Sequence, residues 1–258
     1  MSPKPKVLAV LQARYSSTRL PGKVLMPLLG EPMLYRQIER IQGAKLIDRL
    51  IVATSRDAAD DQLAEMCREK GIDCFRGDLN DVLDRFYQAA VSDAPDHVVR
   101  LTGDCPLTDP ELIDSIIRFH LEGGYDYSSN TIQPTFPDGL DVEVCRFSAL
   151  CRAWQETTLP SQREHVTPFI HQQPERFRLG SFVDDWDRSW LRWTVDEPDD
   201  FELVAKIYGA LYPRNPRFTT ADVMALVEAS PELATLNIHH GRNEGYALSL
   251  RKDARLSG

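Results

Sequence analysis

Apolar runs and amphipathic stretches alternate along the first half of this chain. Short runs rich in aliphatic and β-branched residues are typical of strands buried on both faces, and apolar residues at helical spacing separate them. The predicted strands are Val7–Leu11, Leu50–Thr54, Ile72–Phe75 and His97–Thr102. Four helices are predicted between and after them: one that begins at Pro32, one over Ala59–Lys70, one that contains Val82, Leu83, Phe86 and Ala90, and one that begins at Pro110. This spacing predicts an α/β fold with a single doubly wound, mostly parallel sheet.

The pattern becomes less regular after Gly123-Gly124. Further strands are predicted at Tyr125–Asn130, Asp141–Cys145, Phe177–Val183 and Trp190–Val195, further helices at Glu164–Gln172, Pro198–Leu211 and Thr220–Glu228, and a loop at Thr131–Gly139. We interpret residues 1–230 as one domain, in which residues 131–183 form a small β-rich insertion on the substrate side of the sheet. Residues 231–258 are a C-terminal extension that we expect to cover this domain or a second subunit. Within the extension, His239-His240 is expected to be a surface pair.

Composition excludes several classes of protein. The 258 residues suffice for one large α/β domain, and no apolar run is long enough to span a bilayer. The formal net charge of −9 argues against nucleic acid as a partner, because binding to a phosphate backbone needs a basic surface. The five cysteines form no C-x-x-C pair, which favours reduced thiols over disulfides or zinc. The chain starts without a signal-peptide pattern, so we expect a cytoplasmic protein with no membrane contact.

Three cations follow the first predicted strand in a short loop. Arg14, Arg19 and Lys23 stand among serines, a threonine, a proline and a glycine, which specify a loop. Nucleotides bind at the carboxyl ends of strands in open α/β sheets, and these cations suit the oxygens of a polyphosphate. The alternative is a basic loop that is merely solvated. The loop matches neither the P-loop nor the G-x-G-x-x-G pattern.

Acidic residues end two later predicted strands. Asp104 follows His97–Thr102, and Asp196 follows Trp190–Val195 just before a helix that starts with proline. Strand ends share one rim of such a sheet, so we expect both carboxylates near the basic loop. Mg²⁺ binds through one or two carboxylates together with phosphate oxygens, and without a cation these carboxylates would repel each other. The alternatives are an ordinary turn residue at Asp104 and a residue that only favours the helix amino terminus at Asp196.

The segment Leu11-Gln-Ala-Arg-Tyr-Ser-Ser-Thr-Arg-Leu-Pro-Gly-Lys23 resembles the amino-terminal signature of the sugar cytidylyltransferases, which activate acidic sugars such as sialic acid and 3-deoxy-manno-octulosonate as CMP derivatives. The resemblance is closest to the spore coat polysaccharide biosynthesis F-type cytidylyltransferases and extends to about Leu211. It implies a nucleotide-diphospho-sugar transferase fold of the glycosyltransferase-A-like, Rossmann-like type. It also implies transfer of CMP from CTP to an acidic-sugar or sugar-phosphate-like acceptor with release of pyrophosphate, in the biosynthesis of surface polysaccharide or glycan.

The resemblance also assigns roles to residues. The implied catalytic residues are Arg14, Lys23, Asp104 and Asp196, and the last two are the implied ligands of Mg²⁺. The implied nucleotide-binding residues are Leu11, Gln12, Ala13, Arg14, Ser17, Arg19, Lys23, Arg76 and Asp104. Two segments resemble substrate-pocket motifs of the F-type group, and they contribute Asp138, Gly139, Asp141, Glu143, Arg163 and His165. The polar face of a helix explains Arg163 and His165 equally well, and His165 could also assist proton transfer.

Two other functions are compatible with a sheet of this kind. A metal-dependent glycosyltransferase would consume a nucleotide sugar, but it would carry a D-x-D motif where this chain has Gly103-Asp104-Cys105. A non-catalytic nucleotide-binding subunit would not need both acidic strand ends and all three cations. The expected partners are therefore CTP and a small-molecule sugar acceptor. The sequence leaves the oligomeric state open, and a homodimer is one option.

Overall fold

A seven-stranded sheet with helices on both faces forms the centre of the described chain. The computed structural model describes residues 4–17, 19–242, 246, 249–250 and 253. The strands of the sheet are β1 (Val7–Gln12), β4 (Arg49–Ser55), β5 (Cys74–Gly77), β6 (His97–Thr102), β7 (Tyr127–Ser129), β8 (Glu143–Arg146) and β9 (Leu179–Ser181), and β2 (Pro27–Leu28) and β3 (Glu31–Pro32) form a separate small hairpin. The order across the sheet is β5-β4-β1-β6-β8-β7-β9. The predicted α/β fold with a mostly parallel sheet is confirmed.

The pairing of the strands determines which loops become neighbours. Strands β5, β4, β1 and β6 are mutually parallel, whereas β8 runs antiparallel to both β6 and β7. Gln12 at the end of β1 is in register with Thr102 at the end of β6. The loops that follow these two strands therefore leave the sheet side by side. One carries the basic loop, and the other carries Asp104.

Helices follow most strands and cover the two faces of the sheet. Their bounds are α1 (Met33–Ile41), α2 (Asp61–Glu69), α3 (Val82–Val91), α4 (Pro110–Gly123), α5 (Phe147–Glu156), α6 (Pro160–His165), α7 (Pro168–His171), α8 (Pro198–Leu211), α9 (Thr220–Ala229) and α10 (Pro231–Thr235). Helix α4 begins as the sequence predicts, because the Asp109 side chain accepts from the amides of Glu111 and Leu112, and Pro110 occupies the first turn.

The alternating side chains of β1 divide the core into two layers. Ala9 and Leu11 pack with the apolar faces of α1, α2 and α4. Leu8 and Val10 point to the other face, where they pack with α3, α5 and α7. A continuous apolar strand that is buried on both sides is what a doubly wound sheet requires.

A third apolar cluster joins distant parts of the chain. Leu28 and Met33 pack with Leu191 and Trp193 and with the apolar faces of α8 and α9. Arg40 reinforces the cluster, since its guanidinium donates to the carbonyl oxygens of Thr108 and Phe218. The carboxyl-terminal helices are thereby attached to α1, beside the loop that follows β1.

The predicted strand Trp190–Val195 is wrong. All residues from Leu191 to Val195 are buried, but the segment makes only an isolated bridge between Asp138 and Arg192 and no ladder. The carbonyl oxygen of Asp138 accepts from the amides of Trp193 and Thr194, and that of Asp104 accepts from Val195. A period of two indicates an extended chain, and such a chain need not belong to a sheet.

Two helical segments also differ from expectation. The predicted helix Glu164–Gln172 is divided into α6 and α7 at Val166, which has a φ of 72°. Pro168 explains the break, because it has no N–H to donate to the carbonyl oxygen of Glu164, and its ring would clash with that carbonyl in a continuous helix. Helix α5 was not predicted, and Arg146 at its amino terminus provides no side-chain cap that a sequence could reveal.

The extension packs against the domain in its described part. Helix α10 contributes Leu233 to the third apolar cluster, and Arg242 and Ser249 contact residues of the domain. The Arg-rich end predicted from the sequence lies mostly outside the described residues. The division at residue 230 stays a prediction. Across the described part of the chain, every helix is too short or too polar to cross a membrane.

Candidate active site

A pocket of about 720 Å³ lies at the carboxyl ends of β1 and β6. Most of the residues predicted from the sequence line it, from both the nucleotide and the substrate groups. These are Gln12, Ala13, Arg14, Ser17, Arg19, Lys23, Asp104, Asp138, Asp141, Glu143, His165 and Asp196. Residues separated by up to 184 positions thus meet in one cavity, at the edge of the sheet where open α/β folds bind ligands.

The basic loop turns sharply so that Lys23 points inward. Gly22 adopts a φ of 73°, and its amide donates to the carbonyl oxygen of Tyr15 at 2.9 Å. A Cβ atom at this position would lie 2.9 Å from the Tyr15 ring, so glycine is required both by conformation and by space. A short 3-10 turn, Lys23–Leu25, follows. Lys23 is left only 7% exposed.

The Lys23 ammonium lies between the two predicted metal carboxylates. Its Nζ is 2.7 Å from Asp196 Oδ1 and 3.4 Å from Asp104 Oδ2, and it also donates to the carbonyl oxygen of Val195 at 2.7 Å. Burial alone would lower the pKa of Lys23, but the two carboxylates outweigh it and raise the pKa above its ordinary value. Burial would raise the pKa of Asp104, and Lys23 reverses this, so that the pKa of Asp104 is lowered. The expected repulsion between the carboxylates is therefore already relieved by the protein's own ammonium.

The two arginines of the basic loop have different surroundings. Arg19 Nη2 lies 2.7 Å from Asp196 Oδ2, and Nη1 lies 3.6 Å from Glu197 Oε1. Arg14 is half-buried and donates from Nη1 to the carbonyl oxygen of Leu79 at 3.2 Å. Arg19 and Lys23 thus share one carboxylate, that of Asp196, while Arg14 lines the pocket from another side.

Asp196 is held in place by a buried ion pair behind it. Arg192 donates from Nε and Nη2 to the two oxygens of Asp200, at 2.9 Å each. Asp200 Oδ2 also accepts from the amides of Asp196 and Glu197, at 2.8 and 2.9 Å. Bidentate pairs of this kind are among the strongest and most directional contacts in proteins. Asp196 is therefore positioned by the start of α8 and by Arg192, although it does not end a strand.

A second acidic pair lies opposite, next to the extension. Gly139 has a φ of 103°, and a Cβ atom there would lie 2.3 Å from the amide nitrogen of Thr194, so Asp138 and Asp141 leave the turn in fixed directions. Arg242 Nη2 contacts Asp141 Oδ1 at 2.7 Å, and its Nε is 3.8 Å from Asp138 Oδ1. Burial raises the pKa of Asp141 to about 7, since the nearby Asp138 and Glu143 offset the effect of Arg242.

Glu143 organises the far end of the pocket. Its carboxylate accepts from Arg100, from the Tyr127 hydroxyl at 2.7 Å and from the Thr167 hydroxyl at 2.5 Å. Burial would raise the pKa of Glu143, but Arg100 and the two hydroxyls lower it below its ordinary value. The break at Val166 orients Thr167 for this contact. An ionised carboxylate with three donors is a rigid acceptor site for polar ligands.

His165 joins the pocket to the extension. Its Nε2 lies 3.0 Å from the Ser249 hydroxyl, and its ring packs edge-on against Tyr246 with 4.9 Å between centroids. Ser249 donates to Glu164 at 2.8 Å. Burial and Arg100 lower the pKa of His165, so the imidazole is neutral near pH 7. A neutral imidazole can accept or donate a hydrogen bond to a ligand.

Four predicted residues do not line the pocket. Leu11 is fully buried within the sheet, and Gly139 forms the turn behind Asp138. Arg76 donates to the carbonyl oxygens of Ser55 and Asp57, and Arg163 to those of Trp154 and Thr157. As placed, these two guanidiniums support backbone segments around the pocket.

Several residues of the site were not predicted from the sequence. Arg100, Tyr127, Thr167, Arg192 and Arg242 all contact the acidic residues described above. Two of them had a usable signal. Arg100 and Arg192 each interrupt an apolar run, and a charge in such a position is seldom buried without a partner. Arg242 stands in the extension, where neither pattern nor spacing distinguished it.

Asp104 and Asp196 are suited to a divalent cation. Lys23 Nζ contacts both carboxylates, which shows that a single positive charge can lie within reach of the two. Carboxylate oxygens are the ligands that Mg²⁺ prefers, and Mg²⁺ completes its shell with water and phosphate oxygens. The donor set of these residues therefore fits the ion.

Relatives of known sequence match most of this chain. The family model described as Cytidylyltransferase matches residues 8–209. The spore coat polysaccharide biosynthesis protein SpsF of Bacillus subtilis is 34% identical over 237 residues, which are 89% of this chain and 97% of that protein. An uncharacterized protein of Methanocaldococcus jannaschii is 39% identical over 206 residues, 78% of this chain and 83% of that protein.

Solved structures show the same fold. A cytidylyltransferase from Leptospira borgpetersenii superposes with a TM-score of 0.84 at 31% identity, over 89% of this chain and 97% of that one. A CMP:2-keto-3-deoxy-manno-octonic acid synthetase in complex with CTP has a TM-score of 0.63 at 18% identity, over 79% and 98% of the chains. The Mycobacterium tuberculosis protein Rv0371C, in complex with manganese, has a TM-score of 0.53 at 16% identity, over 78% and 98%. The likeness of the last two is one of fold.

The pocket and the relatives support the same conclusion. The resemblance of Leu11–Lys23 is confirmed, because the matched region includes this segment and continues through Asp196. The alternative of a non-catalytic subunit is set aside. The chain belongs to the cytidylyltransferase family and is a CTP-dependent nucleotidyltransferase.

Proposed function

We propose that this enzyme transfers CMP from CTP to a sugar that bears a carboxylate or a phosphate, in the biosynthesis of a polysaccharide or glycan. The observation that carries the proposal is the Lys23 ammonium, which lies between Asp104 and Asp196 beside a loop with two further cations. This arrangement combines donors for a polyphosphate with carboxylates for a divalent ion. A relative of similar length is named for spore coat polysaccharide biosynthesis, which supports the same assignment.

The nucleotide would occupy the side of the pocket next to β1. Arg14, Arg19 and Lys23 would hold the phosphates, and Ser17 would contribute a hydroxyl. Gln12 lines the pocket, and within the described part of the chain its side-chain oxygen is buried without a hydrogen-bond partner. Buried polar atoms are rarely left unsatisfied, and the amino group of cytosine would supply the missing donor.

The acceptor would occupy the other side, between the acidic turn and His165. Asp141, Glu143 and His165 offer acceptors and donors for sugar hydroxyls. Arg100 also lines this side, and Arg242 contacts Asp141 from the extension, so each is within reach of a carboxylate or phosphate of the acceptor. An acidic sugar could compete with Glu143 or Asp141 for one of these guanidiniums, whereas a neutral sugar has no charge with which to do so.

The reaction would be an in-line displacement at the α-phosphorus of CTP. An acceptor oxygen forms a bond to this phosphorus while the bond to the bridging oxygen of pyrophosphate breaks. Positioning and neutralisation of charge are the main contributions that a protein makes to such a step. Lys23 and the loop arginines would stabilise the charge on the departing pyrophosphate. Mg²⁺, bound by Asp104 and Asp196, would supply additional neutralisation of the phosphate oxygens.

Asp141 is a candidate for the base that receives the acceptor's proton. Its carboxyl lines the pocket, and burial raises its pKa to about 7. General bases work best when their pKa is near the working pH. A hydroxyl acceptor would release its proton to Asp141 Oδ1 or Oδ2 as the new bond forms. An acceptor that attacks through an ionised phosphate would not need this step.

The test is an assay of pyrophosphate release from CTP, UTP, ATP and GTP, each with Mg²⁺ and a panel of acidic sugars, sugar phosphates and neutral sugars. We expect release from CTP with an acidic or phosphorylated acceptor. Release of a nucleoside diphosphate from a nucleotide sugar would instead indicate a glycosyltransferase. Turnover with neutral sugars alone, or with a purine nucleotide, would contradict the proposal.

A further inference from the structure

Two adjacent histidines of the extension turn toward a single carboxylate at the start of α8. His239 Nε2 lies 3.2 Å from Asp199 Oδ2, and His240 Nε2 lies 3.0 Å from both oxygens of Asp199. One ligand atom from each residue falls within 4.8 Å of the others. The two imidazole rings lie against each other, with 4.0 Å between centroids. The sequence predicted only a surface pair here.

We propose that Asp199, His239 and His240 bind a divalent transition-metal ion of the zinc type. Two imidazole nitrogens and one carboxylate oxygen suit Zn²⁺, Co²⁺ or Ni²⁺, whereas Mg²⁺ prefers oxygen ligands alone. Bonds of about 2.0–2.1 Å at tetrahedral angles place ligand atoms about 3.3 Å apart. The observed separations of 3.0 and 3.2 Å between the nitrogens and the carboxylate are close to that edge length.

The three ligands are anchored by buried contacts below them. Asn237 is 1% exposed, and its side-chain amide donates to the carbonyl oxygen of Arg192 and to Asp200 Oδ1, at 2.9 and 2.7 Å. The amide of His240 donates to the carbonyl oxygen of Asn237. Asp199 Oδ1 also accepts from the amide of Asp200 at 3.0 Å, which orients the carboxylate. Supporting contacts of this kind fix the ligand geometry in metal sites.

Solvent reaches the cluster from one side. The His239 side chain is 63% exposed, and those of Asp199 and His240 are 28% and 23% exposed. An ion can therefore enter, and water can complete its coordination. The ordinary alternative is a pair of imidazoles that donate hydrogen bonds to an acid, with no metal involved. The two cases differ in metal affinity, which can be measured without CTP or acceptor.

The position of the cluster indicates what the ion would do. The residues that follow it enter the active site, since Arg192 donates to the carbonyl oxygen of Gly241 and Arg242 contacts Asp141. An ion bound by α8 and by the extension would hold this segment against the domain. Its role would be structural and separate from that of the cation at Asp104 and Asp196.

The test is a titration of the full-length protein with Co²⁺ in the presence of excess Mg²⁺. The visible absorption of the bound Co²⁺ is measured at each addition. Mg²⁺ occupies the oxygen ligands of the active site, so that the absorption reports a nitrogen-containing site. We expect one equivalent of Co²⁺ with the bands of a four- or five-coordinate ion, and displacement by Zn²⁺. His239→Gln and His240→Gln should each weaken binding more than about tenfold.

Two controls separate this site from others. Glu202→Gln removes an exposed carboxylate on the same helix and should bind Co²⁺ as the wild type does. Asp104→Asn should also retain the Co²⁺ bands, because that carboxylate belongs to the active site. His239 is largely exposed, so its replacement tests the site even where His240→Gln folds poorly. The proposal would be overturned if the wild type did not bind Co²⁺, or if both histidine variants bound Co²⁺ as tightly as the wild type.

Discussion

At the scale of single residues, Lys23 determines whether the carboxylates of Asp104 and Asp196 repel each other. The sequence predicted two carboxylates that repel each other unless a cation is bound. On that view, replacing either one would not lower the stability of the metal-free protein. The ammonium between Asp104 and Asp196 changes that expectation. Removing either acid takes a partner from a buried cation, and unpaired buried charges are costly.

We therefore expect Asp196→Asn to abolish most turnover and also to destabilise the protein without added metal. Loss of a charged hydrogen bond of this kind costs about 1–3 kcal/mol. Urea unfolding in EDTA measures the free-energy change, and pyrophosphate release measures turnover. Glu202→Gln is the control on the same helix. An Asp196→Asn variant with normal activity would show that Asp196 serves only the helix terminus.

Asp141 predicts a pH dependence of both rate and stability. Its pKa in the folded protein is raised to about 7 from 3.8, so the folded state retains a proton that the unfolded state releases between about pH 4 and 7. The contribution of Asp141 to stability is therefore greatest at low pH, falls as the pH rises toward 7 and is constant above. As a base, the same carboxyl is active only when it is ionised.

We expect kcat/KM to rise with pH around a midpoint near 7, and Asp141→Asn to remove this limb of the profile. The variant should exceed the wild type in free energy of unfolding by a larger margin at pH 8 than at pH 5, as measured by urea unfolding at both pH values. The exposed Asp185→Asn is the matched control. An unchanged pH profile in Asp141→Asn would rule out its role as the base.

At the scale of elements, the long strands and helices followed from the sequence, and the connections did not. Strand β6 and helix α4 were predicted closely, because an apolar run and a capping Asp109 are local signals. The segment Trp190–Val195 was predicted as a strand, since alternation reports burial but not the neighbour that accepts the backbone hydrogen bonds. That neighbour is the turn at Gly139, more than fifty positions away.

Gly139→Ala should disturb the site through this turn. A methyl group would lie 2.3 Å from the amide nitrogen of Thr194, a contact that only a shift of the backbone can relieve. Gly30→Ala is the matched control, because Gly30 also has a positive φ, of 80°, but has open space around its Cα. The conformation alone costs about 1–2 kcal/mol. We expect Gly139→Ala to lower the melting temperature and activity more than Gly30→Ala does; equal effects would mean that the turn tolerates the methyl group.

At the scale of the whole molecule, the active site is built from the domain and the extension together. The basic loop, both acids and the fold class were predictable, because they stand next to the ends of clear apolar runs. Arg242 and Ser249 were not, since their roles depend on how the extension folds back over residues 131–183. Contacts between segments so distant in the chain leave no periodic pattern.

Arg242→Ala should weaken binding of the acceptor more than binding of the nucleotide. Its guanidinium lies on the acceptor side, 2.7 Å from Asp141. We expect a higher KM for the acceptor, with little change in the KM for CTP, in steady-state kinetics. The control is Arg217→Ala, which removes an exposed arginine from the loop between α8 and α9 and should behave as the wild type. A selective rise in the KM for CTP would place Arg242 on the nucleotide side instead.

The long separation between Lys23 and its partners affects the order in which the protein forms. Its ammonium bonds to the carbonyl oxygen of Val195, 172 positions later in the chain. The parallel strands β5, β4, β1 and β6 all lie before residue 103, so they can pair while synthesis continues. Domains form from the amino terminus as the chain emerges from the ribosome. We expect four of the seven strands to be assembled while Lys23 still lacks its carbonyl partner, and the catalytic centre to be among the last parts of the nascent chain to form.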